Sequence, residues 1–123
     1  RLMINLLDNA LRYASQSSRA IEVATQLSEN GQVRLSVWSD GLPLEKTVES
    51  HLFEPFFSSE SRSSGLGLYI CRELCERYGA LIGYRRTSQG PSELSEGNEF
   101  FVVFKLAINS HRSALPLSDD LFA

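Results

Sequence analysis

The stretch SRSSGLGLYICRELCERYGALIGYRR, residues 61–86, changes character twice, and those two changes decide the architecture. It opens as a serine-rich polar loop. From Leu66 to Tyr78 the apolar residues recur at helical spacing, with Cys71, Leu74, Cys75 and Tyr78 inward and Arg72, Glu73, Glu76 and Arg77 outward as two i,i+4 opposite-charge pairs. Gly79 then falls where a helix C-terminus favours a left-handed residue, and ALIGYRR, 80–86, reads as a strand. At the first change stands Gly65-Leu66-Gly67-Leu68. A glycine-rich loop running straight into a helix turns backbone N–H groups and the positive end of the helix dipole toward one spot, a seat for phosphate. A lone Gly-x-Gly is weak evidence, and the strand that a Walker or Rossmann motif needs before it is missing.

Working outward, RLMINLLDNALRYAS at 1–15 carries Met3, Leu6, Leu7, Ala10, Tyr13 and Ala14 on one apolar stripe, which leaves Asn5, Asn9 and Arg12 on the polar side. The helix starts without a capping signal, as if the chain began inside a domain. AIEVATQL (20–27) and QVRLSVWS (32–39) alternate with period two around Glu29-Asn30-Gly31, which predicts a β-hairpin. Asp40-Gly41-Leu42-Pro43 breaks the pattern, residues 44–52 have room for one short helix, and PFFSSESRSSG at 55–65 reads as a polar loop. EFFVVFKLAI, 99–108, supplies the last strand, and no period persists from Asn109 onward. The order predicts an α+β two-layer sandwich, a mixed sheet covered on one face by helices, in one domain over 1–108 with a tail at 109–123.

Composition narrows the chemistry. With 123 residues and 42% hydrophobic content the chain has material for one core. A formal net charge of −3, with Arg85-Arg86 the only adjacent basic pair, speaks against a nucleic-acid surface. No apolar run reaches the roughly 20 residues of a membrane-spanning helix, so no membrane contact is expected of this chain. Cys71 and Cys75 read as buried reduced thiols. His51 and His111 stand too far apart in sequence to suggest a metal site built from side chains.

Three motifs, in order, make the reading specific. NLLDNALRY (5–13) resembles the N-box of sensor histidine kinases, LFEPFFSS (52–59) their F-box, and SSGLGLYICRELCERYG (63–79) their G2 box with its helix. GNEFFVVF (97–104) is similar to the family's closing strand, so the likeness spans about residues 2–106 and looks most like the nitrogen-regulation and type IV pilus sensor branch. The resemblance implies the Bergerat-type sandwich shared with gyrase, Hsp90 and MutL ATPases, lacking here the strand and helix that normally precede the N-box. It implies ATP between the N-box helix and the G2 loop. Asn9 would hold Mg²⁺ through its amide oxygen, Arg12 would sit near the phosphates and Tyr13 near the nucleotide. Ser64, Gly65, Leu66, Gly67 and Leu68 would cradle the triphosphate. Asn5 and the lid residue Arg62 would take the catalytic positions, Arg62 neutralising γ-phosphate charge during transfer.

The G1 box departs from the family pattern. Where the family has Asp-x-Gly-x-Gly, this chain has Ser39-Asp40-Gly41-Leu42-Pro43, so a hydroxyl replaces the adenine-reading carboxylate and a proline the second glycine. Asp40 would take over the role only if the strand slipped by one residue, which would turn its side chains to the wrong face. The resemblance implies a phosphoryl transferase whose acceptor histidine lies on a dimerisation domain absent from this chain. A response-regulator receiver would act downstream, and the cytoplasmic chain would belong to a parent anchored in the bacterial inner membrane. The alternative is a degenerate module that keeps the fold for docking or regulation. A gyrase-like hydrolase would need a carboxylate at position 5, where Asn5 stands.

Overall fold

In a computed structural model the described residues are 1–15, 20–57, 66–88 and 96–105. They form α1 (Leu2–Tyr13), β1 (Ile21–Leu27), β2 (Gln32–Ser39), α2 (Lys46–Glu49), α3 (Gly67–Arg77), β3 (Leu81–Ser88) and β4 (Glu96–Lys105). Gly31 closes the β1–β2 hairpin at φ 85° and Gly79 ends α3 at φ 72°, both in the left-handed region that glycine enters without a Cβ penalty.

The four strands are ordered β1-β2-β4-β3. Each pairing is antiparallel, so the mixed sheet expected from sequence is wholly antiparallel among the described residues. The physical reason is an insertion. β2 and β3 run parallel, joined across α2 and α3, but β4 lies between them and hydrogen-bonds to both.

The helices cover one face. Leu2, Leu6 and Ala10 of α1 pack with Cys71, Leu74 and Cys75 of α3 against Val37, Phe100 and Val102 of the sheet. The fully buried line on α1 is therefore i, i+4, i+8 from Leu2, with Met3 and Leu7 at its margin. Each of these larger side chains contributes about 1.5–3 kcal/mol by leaving water. Both cysteines are free and buried, and the Cys71 thiol donates to the Leu2 carbonyl across the helix seam at 3.8 Å. Burial pushes Cys71 up to about 12 and Cys75 to about 11, so neither is a thiolate at neutral pH.

The opposite face is not simply wetted. Trp38, Ser36 and Glu99 are buried there because long side chains lie flat across the strands. Arg34 stacks on Phe101 at 3.9 Å, and Arg34 and Arg85 both donate to Glu99 Oε1. Gly97 and Gly83 provide the flat ground for two rings. A Cβ on Gly97 would meet the Trp38 ring at 2.5 Å and the Ser39 carbonyl closer still, and one on Gly83 would meet Phe101 at 2.5 Å. This explains why β4 begins at Glu96, three residues before the expected start. The period-two pattern leaves Gly97 outside the strand, whereas the family resemblance includes it, and it is the strand residue on which Trp38 rests. Gly97→Ala is expected to destabilise the fold by about 1–3 kcal/mol through overpacking, measured by chemical denaturation.

Candidate functional site

Where α1 leaves the core seam, its flank faces the start of α3 over the central strands β2 and β4. Between them lies a cavity of about 320 Å³, a size that suits a small molecule. Asn5, Asp8, Asn9, Arg12 and Tyr13 line it from α1, Leu66, Gly67, Leu68 and Ile70 from the start of α3, and Ser39, Asn98 and Phe100 from the sheet. Leu44, Val48, Leu52 and Phe57 close the remaining, apolar side.

The α3 end has the chemistry of an anion seat. Leu66 at its N-cap offers no side-chain cap, the first turn holds no acidic residue, and a Cβ on Gly67 would meet nothing within 4 Å. Backbone donors at the positive end of an 11-residue helix therefore border the cavity, opposite Arg12. On the α1 side, Asn5 Nδ2 is buried without a hydrogen-bond partner among the described residues. Asn9 brings a carboxamide oxygen and Asp8 a carboxylate, the hard oxygen donors that suit Mg²⁺. The residues present thus fit a metal-bound, phosphate-bearing ligand.

The sheet side separates the neighbours Ser39 and Asp40. Ser39 is buried at the end of β2 and lines the cavity. Asp40 turns the other way, accepting hydrogen bonds from Ser15 N at 2.8 Å and Ser15 Oγ at 2.6 Å. Partial burial pushes the Asp40 carboxyl up, but these bonds and one from its own amide outweigh it and hold the group below the usual carboxylate value. The tie between the end of α1 and the end of β2 therefore persists above that value and is lost as pH falls through it. Gly41 is buried where a Cβ would come within 2.7 Å of the Tyr13 carbonyl, so it fixes the same junction rather than lining the cavity. Arg62, Ser64 and Gly65 lie outside the described residues.

A polar network under the site was not visible in the sequence. Asn98, paired in register with Ser39, donates through Nδ2 to the Leu42 carbonyl at 2.8 Å. Its Oδ1 accepts from Tyr84 OH at 2.6 Å and from Arg86 Nη1 at 3.2 Å, and Arg86 also reaches the Gly41 carbonyl at 2.6 Å. Burial, reinforced by the charge of Glu49, pushes the Tyr84 phenol up, so it stays a neutral donor. Three side chains from β3 and β4 thus hold the 41–44 segment. Asp8, one residue before Asn9, carried no motif of its own and also escaped the sequence reading.

A helix-covered antiparallel sheet, with its cavity between a polar helix flank and the start of a second helix, defines a two-layer α+β module. The sequence profile described as "Histidine kinase-, DNA gyrase B-, and HSP90-like ATPase" matches residues 1–108, and the chain belongs to that family. Among its relatives is the sensor protein kinase PilS of Pseudomonas aeruginosa, 39% identical over 95 residues, which are 73% of this chain and 18% of that protein. The mycobacterial sensor histidine kinase MprB shares the fold with a TM-score of 0.69 at 24% identity, covering 83% of this chain and 66% of that one. Full-length ShkA in complex with AMPPNP aligns with a TM-score of 0.64 at 25% identity, covering 86% of this chain and 21% of that one. The chain spans 18% to 25% of the length of the first curated relatives it matches. No helix among the described residues is long and apolar enough to cross a membrane.

Proposed function

We propose that this chain is the catalytic domain that passes the γ-phosphoryl group of Mg·ATP to a histidine on a separate dimerisation domain of the same parent protein. The observation that carries this reading is the single cavity holding Asn9 and Arg12 of α1 opposite the start of α3 at Leu66, Gly67 and Leu68. Asn9, with Asp8 beside it, would hold Mg²⁺. The metal neutralises phosphate charge when bound. Arg12 and the first-turn amides of α3 would position the triphosphate, Tyr13 would border the nucleotide and Asn5 would hold the polar side of the α1–α3 seam. Ser64 and Gly65 would extend the cradle, with Ser39 under the base. In the transfer the bond from the γ-phosphorus to its bridging oxygen breaks, a bond to an imidazole nitrogen forms, the imidazole gives up a proton and ADP leaves. The likeness to a kinase solved with a nucleotide analogue supports the same cleft. Downstream, a response-regulator receiver would take the phosphoryl group, and the parent would hold this chain on the cytoplasmic side of the inner membrane. The 1–108 unit is proposed as the catalytic domain, with 109–123 as its tail.

The acceptor is not expected on this chain. His51 follows α2 in a turn, its Nδ1 2.7 Å from Glu54 Oε2, rather than on a long helix, and His111 lies outside the described residues. Mixing the chain with the parent's dimerisation domain and γ-labelled ATP should label the domain alone. Label on this chain, or on neither, would contradict the reading. Arg62→Ala should weaken ATP more than ADP by calorimetry, and equal losses would place its charge away from the γ-phosphate.

A further inference from the structure

The sheet floor of the cavity has an unusual donor and acceptor balance. Of the described residues that line it, the one carboxylate is Asp8, on α1, and none comes from the sheet. Ser39 faces the cavity with a hydroxyl that both donates and accepts. Asn98, beside it, has its orientation fixed by chemistry. Arg86 can only donate, so the atom it meets must be the Asn98 oxygen, and that oxygen already takes two bonds. One Nδ2 hydrogen goes to Leu42, which leaves the other as Asn98's remaining polar function. Beside Asn98, on the adjoining strand, lies the Arg86 guanidinium, which donates to the Gly41 carbonyl and to Asn98 and whose Nε is buried without a partner among the described residues. Asp40, next to Ser39 in sequence, is turned out to Ser15, and Glu99, next to Asn98, pairs with Arg34 and Arg85 on the opposite face. The sheet floor thus offers a hydroxyl and an amide donor, with a guanidinium bonded to that amide's oxygen.

From this we infer that the site discriminates weakly at position 6 of a purine and takes 6-oxopurine triphosphates, of the inosine and guanosine kind, alongside ATP. The inference rests on the nucleotide-binding role proposed above. A 6-amino purine presents a donor beside an acceptor, whereas a 6-oxo purine presents the reverse. A carboxylate floor accepts only, so it rewards the amino group and repels the oxo group. A hydroxyl turns to suit either, and the spare Asn98 N–H, backed by Arg86, welcomes the oxo oxygen. Ser39 is the residue that sets this selectivity, through what it lacks.

The test is calorimetric titration of the whole chain with ATP, ITP and GTP in Mg²⁺, ITP differing from ATP only at the 6-position and its neighbouring proton. Affinities for ATP and ITP within about tenfold are expected. Ser39→Asp should tighten ATP about tenfold and weaken ITP by at least as much, as a charge-assisted bond replaces a neutral one. A wild-type preference for ATP beyond tenfold overturns the inference and leaves the nucleotide-binding role standing. So does a loss of ATP binding in Asp40→Asn with no gain in Ser39→Asp, since Asp40 would then read the base. Absence of binding by all three nucleotides, in wild type and variant alike, overturns both. The wild-type comparison decides even if Ser39→Asp does not fold.

Discussion

Asn9→Ala is expected to lower Mg²⁺-dependent nucleotide affinity by about a hundredfold or more, equivalent to roughly 2.7 kcal/mol, while the fold survives. Asn9 lines the cavity and is not among the buried core residues, which on α1 are Leu2, Leu6 and Ala10. Alanine is also the better helix former, so α1 gains slightly in intrinsic propensity. The loss should therefore appear in calorimetric titration with Mg²⁺ present and shrink when the metal is withheld, with thermal unfolding nearly unchanged. Equal affinity in mutant and wild type would remove Asn9 from the metal and phosphate site.

The largest effect on stability is expected from Trp38→Ala, at about 3–5 kcal/mol. Trp38 is 1% exposed, its ring lies across Gly97, and its Nε1–H donates to the Thr87 carbonyl at 3.2 Å. Truncation removes the largest side chain of the rear face and leaves that carbonyl to water. Because the next residue is Ser39, nucleotide affinity should fall together with stability. Denaturant titration measures the first effect, and a loss below about 1 kcal/mol would show that the rear face does not hold the sheet together.

Trp38 also marks where sequence reasoning stops. Strict alternation along β2 places Val37 and Ser39 toward the helices and Trp38 toward solvent, yet Leu35 to Ser39 are all buried. Local period identifies which residues share a face but not what covers it. The cover comes from Gly97, Phe101 and Glu99, some 60 residues away, and the pairing that brings them there depends on β4 slipping between β2 and β3. The helices, the hairpin and Gly79 were legible because each rests on neighbours in sequence. So was the polar wall of the cavity, since Asn5, Asn9 and Arg12 lie on one helix and Leu66 to Leu68 on one turn. Asn98, Tyr84 and Arg86 were not, because strand polar residues acquire meaning only through the strand beside them.

The same limit applied to Ser39 and Asp40. Aligned by Gly41, the sequence placed Ser39 at the base and left Asp40 as a rival. The geometry now distinguishes them by direction, one into the cavity and one onto Ser15, for which no signal in 1–15 gave notice.

The cavity is proposed to bind Mg·ATP. Calorimetric titration of the chain with ATP, with and without Mg²⁺, tests it most directly. Saturable binding at one site, strengthened by Mg²⁺ and lost in Asn9→Ala, is the predicted result; no heat of binding in either condition would contradict it and leave a docking module built on the same fold.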